Sequence, residues 1–124
     1  DREGLEPNIL LEATGEKFDD EQGQLVKARI CSTRKSQAAY GVYGRTNSKG
    51  KDLVLSMGTG YIWVANKGID IEVGDFLMSS DLKGCAEKQE DDIIHNYSVA
   101  KAQQPIKWNA GETKRLIACI YLGG

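Results

Sequence analysis

The sequence predicts an all-β domain: a small barrel or sandwich of roughly eight to ten short antiparallel strands, with at most one short helix. Three observations carry this. Short runs rich in β-branched and aromatic residues recur along the chain, as at Tyr61 to Ala65 (YIWVA) and Lys114 to Leu122 (KRLIACIYL). Glycine-bearing turns separate them, with 14 glycines against 2 prolines in 124 residues. No long stretch shows a clean 3.6-residue period.

In chain order, residues 1–14 read as an N-terminal segment and residues 15–124 as a single β-domain, the size of one ordinary domain. The first segment is polar and ends in Leu10-Leu11. Gly15 to Gly23 (GEKFDDEQG) groups Asp19, Asp20 and Glu21. It lacks the spaced alternation of a calcium loop and reads as a solvated loop. Gln24 to Thr33 alternates as a strand, with Val26, Ala28 and Ile30 on its apolar face. Ala38 to Tyr43 is a second strand, in which Gly41 marks a bulge or a close backbone approach. Gly44 to Asp52 reads as a hairpin tip; its glycine spacing does not fit a phosphate cradle, and no helix follows.

Leu53 to Met57 is a third strand, and Gly58-Thr59-Gly60 turns the chain into Tyr61 to Ala65. Ile69, Ile71 and Val73 alternate with Asp70 and Glu72, which predicts a strand with one wet face. Gly74-Asp75 is a turn signal. Phe76 to Met78 is a short strand, and Ser79, Ser80, Asp81 and Gly84 form the next loop. Glu87 to Ile94 leaves room for one helical turn. Ile93-Ile94 and then Tyr97 to Ala100 resume the apolar pattern. Pro105 interrupts the ladder, because it has no N–H to donate. Lys114 to Leu122 is apolar on both faces, as in a central strand.

Composition excludes several classes. Net charge is -2 and the 16 basic residues are scattered, so no basic stripe suits a nucleic acid. No apolar run reaches the length of a membrane span. Cys31, Cys85 and Cys119 are far apart and lack C-x-x-C spacing, so they read as buried thiols in a reducing compartment. Neither a metal site nor a cofactor is expected, unless three copies bring three His95 side chains together on an axis. The chain opens at Asp1 rather than Met, which reads as a fragment or a processed product.

His95 is the single histidine. With Asp91, Asp92 and Asn96 it reads as a polar network that fixes a loop. A Ser80–His95–Asp92 relay is the rival, although no Gly-x-Ser-x-Gly elbow accompanies it. Tyr61 and Trp63 share a strand face at a spacing of two. With Trp108 they suit core packing, a subunit interface or a sugar-binding platform. Asn96-Tyr97-Ser98 matches a glycosylation acceptor.

The runs G-Y-I-W-V-A-N (Gly60 to Asn66), V-G-D-F-L-M-S-S (Val73 to Ser80) and K-Q-E-D-D-I-I-H-N-Y-S-V-A-K (Lys88 to Lys101) carry a resemblance. They resemble the C-terminal β-module of fibre, appendage and other surface proteins of phages and large viruses. That module is similar to the self-cleaving intramolecular chaperone of phage neck-appendage proteins. The clear part covers about a third of the chain, with a weaker match from Leu25 to Thr46. The start of the chain is loosely similar to the Ser-Asp-x-Arg-Leu-Lys-x-Asn-Ile start of another such class, at Asp1, Leu5, Asn8 and Ile9. It departs there at Arg2 and Glu6 and lacks the preceding Ser.

The resemblance implies a homotrimer that sets the register of a preceding fibre stem and is released by autoproteolysis. Asp1 would then be the new terminus and Glu3 the assisting carboxylate, in a single-turnover self-cleavage. It implies a virion-associated protein, or one in the host cytoplasm during assembly, without nucleic-acid or membrane partners. The alternative is a receptor- or glycan-binding fibre tip.

Overall fold

The computed structural model describes residues 5–20, 23–46 and 52–123. The protein is all-β, and no helix is present among the described residues. The described residues form nine strands in order: β1 (Leu10–Asp20), β2 (Gly23–Ile30), β3 (Ala39–Thr46), β4 (Asp52–Leu55), β5 (Met57–Ala65), β6 (Phe76–Ser79), β7 (Ala86–Lys88), β8 (Ser98–Ala102) and β9 (Lys114–Leu122). The first four form an open sheet in the order β2-β1-β3-β4, and the last five close a barrel, β5-β7-β6-β8-β9. Every pairing is antiparallel except a single parallel rung between β5 and β7 at Val64 and Ala86.

The barrel is filled from β5 and β9. Ile62 and Ile117 are register partners and both are buried, together with Val64, Cys119 and Tyr121. Leu77, Val99, Ala100, Ala102 and Ile106 complete the same core. Small alternating residues leave room for one large ring: a Cβ at Gly60 would run into the Tyr121 hydroxyl and ring. That hydroxyl accepts from Tyr61 N (2.9 Å) and donates to Tyr61 O (2.6 Å). β7 is too short to pair with β5 at this height, so the tyrosine supplies the missing partner for the Tyr61 backbone. Burial pushes its pKa up to about 12, so it keeps its proton and serves as donor and acceptor together.

Several elements differ from expectation. Gly15–Asp20 is strand rather than loop. Gly15, at φ +87°, does not end the strand; the register shifts between Ala13 and Lys17, and pairing with β2 resumes beyond it. A bulge, not a turn, absorbs the glycine. The segment ahead of residue 15 also contributes Ile9, Leu10 and Leu11 to the buried set. β2 is an edge strand, so its predicted apolar face is incomplete: Ala28 is exposed and Ile30 half-buried. Gly58 to Gly60 is not a turn but lies inside β5, and Ser56 alone separates β4 from β5.

Ile69 to Val73 makes only an isolated bridge, Ile71 to Ile106, with Ile71 buried and Ile69 and Val73 exposed. Glu87 to Ile94 forms the end of β7 and a bent loop, not a helical turn. Gly41 meets its expectation on both counts. A register shift falls where Leu11 pairs with Gly41 and Glu12 with Ala39, and a Cβ at Gly41 would lie 2.7 Å from Leu55 O.

The two sheets meet at Gly84. Leu10 N donates to Gly84 O (2.8 Å), Gly84 N to Cys31 O (2.6 Å) and Cys31 N to Leu10 O (2.9 Å). Gly84 has φ +77°, and a Cβ there would sit 2.7 Å from Cγ2 of the buried Ile9. Gly84→Ala combines left-handed strain with a clash and should cost about 3–4 kcal/mol. Gly111→Ala, at φ +81° with open space around its Cβ, should cost only about 1–2 kcal/mol. Urea denaturation of both variants checks the difference; equal losses would mean the junction at Gly84 carries no packing constraint.

Candidate functional site

The polar cluster at the sheet junction was not anticipated from the sequence. Glu12, only 4% exposed, receives Ser36 Oγ (2.6 Å) and Arg29 Nε (3.0 Å), with the Cys31 thiol at 3.7 Å. Ser79 Oγ accepts from Ser36 N (2.7 Å) and donates to Thr33 O (2.6 Å). Burial pushes the Glu12 carboxyl up, but the bonds from Ser36 and Arg29, the Arg29 charge and the Cys31 contact together outweigh it and leave the carboxyl below its ordinary range. Burial pushes the Cys31 and Cys85 thiols up, and Cys119 up to about 12, so all three stay protonated and unreactive. All three are free and buried, as expected. Arg34 extends the junction to β7, with Nε 3.0 Å from Glu87 Oε2 and Nη2 2.6 Å from Glu90 Oε1.

The loop from Gln89 to Ser98 is held by a residue that sequence reasoning passed over. Gln89 is buried, and its amide nitrogen donates to Asp91 O (3.2 Å), Asp91 Oδ1 (2.9 Å) and Ile93 O (2.6 Å). Its amide oxygen accepts from Ser98 Oγ, which in turn accepts from His95 N at 2.9 Å. Of the four expected network residues, the fold joins two. His95 Nε2 lies 3.1 Å from both carboxylate oxygens of Asp91, and its ring stacks on Tyr97 at 4.7 Å. The His95 hydrogen bond holds the Asp91 carboxyl below its ordinary range. Asp92 and Asn96 are exposed, and their side chains make no bond among the described residues. The fold does not form the Ser80 relay. Ser80 Oγ turns to Leu82 N and Asp81, while His95 is paired with Asp91 rather than Asp92.

The aromatic residues separate. Trp108, on the segment between β8 and β9, packs against the barrel core and donates to Ile69 O at 2.8 Å. Tyr61 and Trp63 share the outer face of the barrel. Pairing on β5 and β9 sets Met57 opposite Leu122, Thr59 opposite Ile120, Tyr61 opposite Ala118 and Trp63 opposite Leu116. Facing residues in an antiparallel pair project on the same side, so these four alternate rungs make one largely apolar wall. Met57 is 81% exposed and Tyr61 52%. A cleft of about 410 Å³ opens in the wall between Thr59, Tyr61, Gln103 and Ala118. The sequence showed that β9 is apolar on both faces; it did not show that the outer one is uncovered in the single chain.

Asp1 and Glu3, the expected cleavage residues, lie outside the described residues. Among the described residues, no three His, Cys, Asp or Glu side chains converge to hold a metal ion. No family model, curated protein or solved structure matches this chain.

Two outcomes test these clusters. Gln89→Ala should lower stability by about 1–3 kcal/mol and speed hydrogen exchange at the His95 amide, whose acceptor Ser98 Oγ is held by Gln89 Oε1. For Glu12 the folded-state pKa is depressed. Its contribution is therefore present above the unfolded value and lost as pH falls through the folded one. Glu12→Gln should flatten the acid limb of the stability profile, read as urea midpoints between neutral pH and about pH 3; an unchanged limb would remove Glu12 from acid unfolding.

Proposed function

We propose that this chain is an assembly module: a trimerisation and folding domain of a fibre- or appendage-like viral surface protein. It associates with copies of itself and brings the adjoining stems into register. The observation that supports the reading is the apolar outer wall of β5 and β9. A contiguous exposed apolar face on a small domain marks an interaction surface. Its aromatic and methionine content suits an interface core. The barrel presents that face on strands tied down by full-length pairing, so little ordering accompanies association. The resemblance of the Gly60 to Lys101 stretch supplies the fibre context. In this reading a compact module that associates first raises the effective concentration of the slow, β-rich stems. Release by cleavage near Asp1, aided by Glu3, belongs to the same proposal.

A second reading is favoured by the cleft itself. An exposed Tyr61 ring beside Thr59 and Gln103 is the combination of apolar face and hydrogen-bonding groups that a sugar ring requires.

Light scattering at two concentrations separates the two. The assembly reading expects a concentration-independent mass three times that of the chain. Tyr61→Glu should dissociate it while leaving the circular dichroism spectrum intact. A stable monomer whose aromatic fluorescence shifts with added oligosaccharide would replace assembly by glycan binding.

A further inference from the structure

We infer that copies of this chain join through two different surfaces, the Ile93-Ile94 tip of one copy entering the Tyr61–Ala118 wall of the next. The inference rests on the assembly reading above and names the contact that reading needs.

The tip is an exposed apolar feature on a braced backbone. Ile93 and Ile94 are 64% and 61% exposed. Their loop does not rely on a partner for its shape. Gln89 Nε2 holds Ile93 O at 2.6 Å, and Ile93 N donates to Asp91 Oδ1 at 3.2 Å. Two adjacent isoleucines kept in water by a buried glutamine are pre-organised for insertion, so binding loses little chain entropy.

Charge selects the mate. Of the carboxylates that precede the tip, Glu90 is paired with Arg34 and Lys35 and Asp91 with His95, which leaves Asp92 without an ion pair among the described residues. The wall is edged by cations. Lys101 is the register partner of Ile120, and its ammonium lies over the Phe76 ring with no carboxylate in ion-pair reach among the described residues. Lys114 Nζ stands 4.4 Å from the Trp63 ring centre and 3.6 Å from Glu6. Tip against wall sets the unpaired Asp92 toward the unpaired Lys101. Wall against wall would face Lys101 with Lys101, and tip against tip would face Asp92 with Asp92. Like-charge juxtaposition of that kind disfavours both symmetric pairings. The open cleft between Thr59, Tyr61, Gln103 and Ala118 is the depression in the wall that the tip would enter. Each copy carries both surfaces, so the contact is head-to-tail and closes a ring when the rotation between copies permits.

The test uses two variants whose changed side chains are exposed, so folding is retained. Ile93→Ser with Ile94→Ser disables the tip; Tyr61→Glu disables the wall. Each alone should be monomeric where the wild type is fully assembled, with a melting temperature within about two degrees of wild type. Mixed in equal amounts, they retain one intact tip and one intact wall and should form a dimer of twice the chain mass and nothing larger. If the wild type is itself a monomer, the assembly reading falls and takes this contact with it. If the wild type assembles and only Tyr61→Glu dissociates it, assembly stands and the tip is excluded. If both variants dissociate but their mixture stays monomeric, the head-to-tail pairing is overturned.

Discussion

Nine consecutive rungs between β5 and β9 close the barrel, and the remaining features depend on that pairing. It packs Ile62 against Ile117 and places Tyr121 over the gap left by the absent side chain of Gly60. It also sorts the side chains of both strands, one set into the core and the other onto the outer wall. The same alternation that fills the barrel therefore creates its exposed apolar face. The neighbouring strands are shorter, and side chains complete what they leave unpaired. The Tyr121 hydroxyl serves Tyr61, and Gln104 Oε1 accepts from Ala118 N at 2.7 Å where β8 has ended.

The second sheet shares the barrel's apolar core through Leu10, Cys31, Ala39 and Val42, and polar contacts lock the junction beside it. Glu12, Ser36 and Ser79 form a buried chain of bonds across the junction, and Arg34 reaches from one side to Glu87 and Glu90 on the other. A buried carboxylate is tolerated there because every neighbour donates to it. Such directional contacts fix one relative placement, where an apolar seam would accept several. Glu87 shows the limit of the arrangement: its Oε1 is buried without a hydrogen-bond partner, with Lys67 Nζ at 3.9 Å.

The all-β class was legible because its signal is periodic and local. The β-branched runs at Tyr61 to Ala65 and Lys114 to Leu122 are the strands that close the barrel, and the three isolated cysteines are buried thiols. What the sequence did not show was decided by partners distant in the chain. Gly15 and Gly58 to Gly60 look like turns, yet they lie in strands because β2 and β9 supply the pairing. Ile93-Ile94 looks like a strand, yet no neighbour is available and the pair faces water. At the candidate site, Asp91 and His95 were found because charge marks them. Gln89 was missed because nothing in one sequence distinguishes a buried glutamine from an exposed one. Asp92 and Asn96 were included by proximity, and proximity along a bent loop does not place side chains together.

The outer wall has a property that follows from the order of the strands. β9 reaches β5 only after β6, β7 and β8 have been made, so the two halves of the wall are synthesised far apart in time. Before β9 docks, Met57, Tyr61 and Trp63 belong to a lone strand and offer no coherent surface. A nascent chain interrupted anywhere between Ala65 and Lys114 lacks the wall altogether. Any association through this face would therefore require a chain whose barrel is complete.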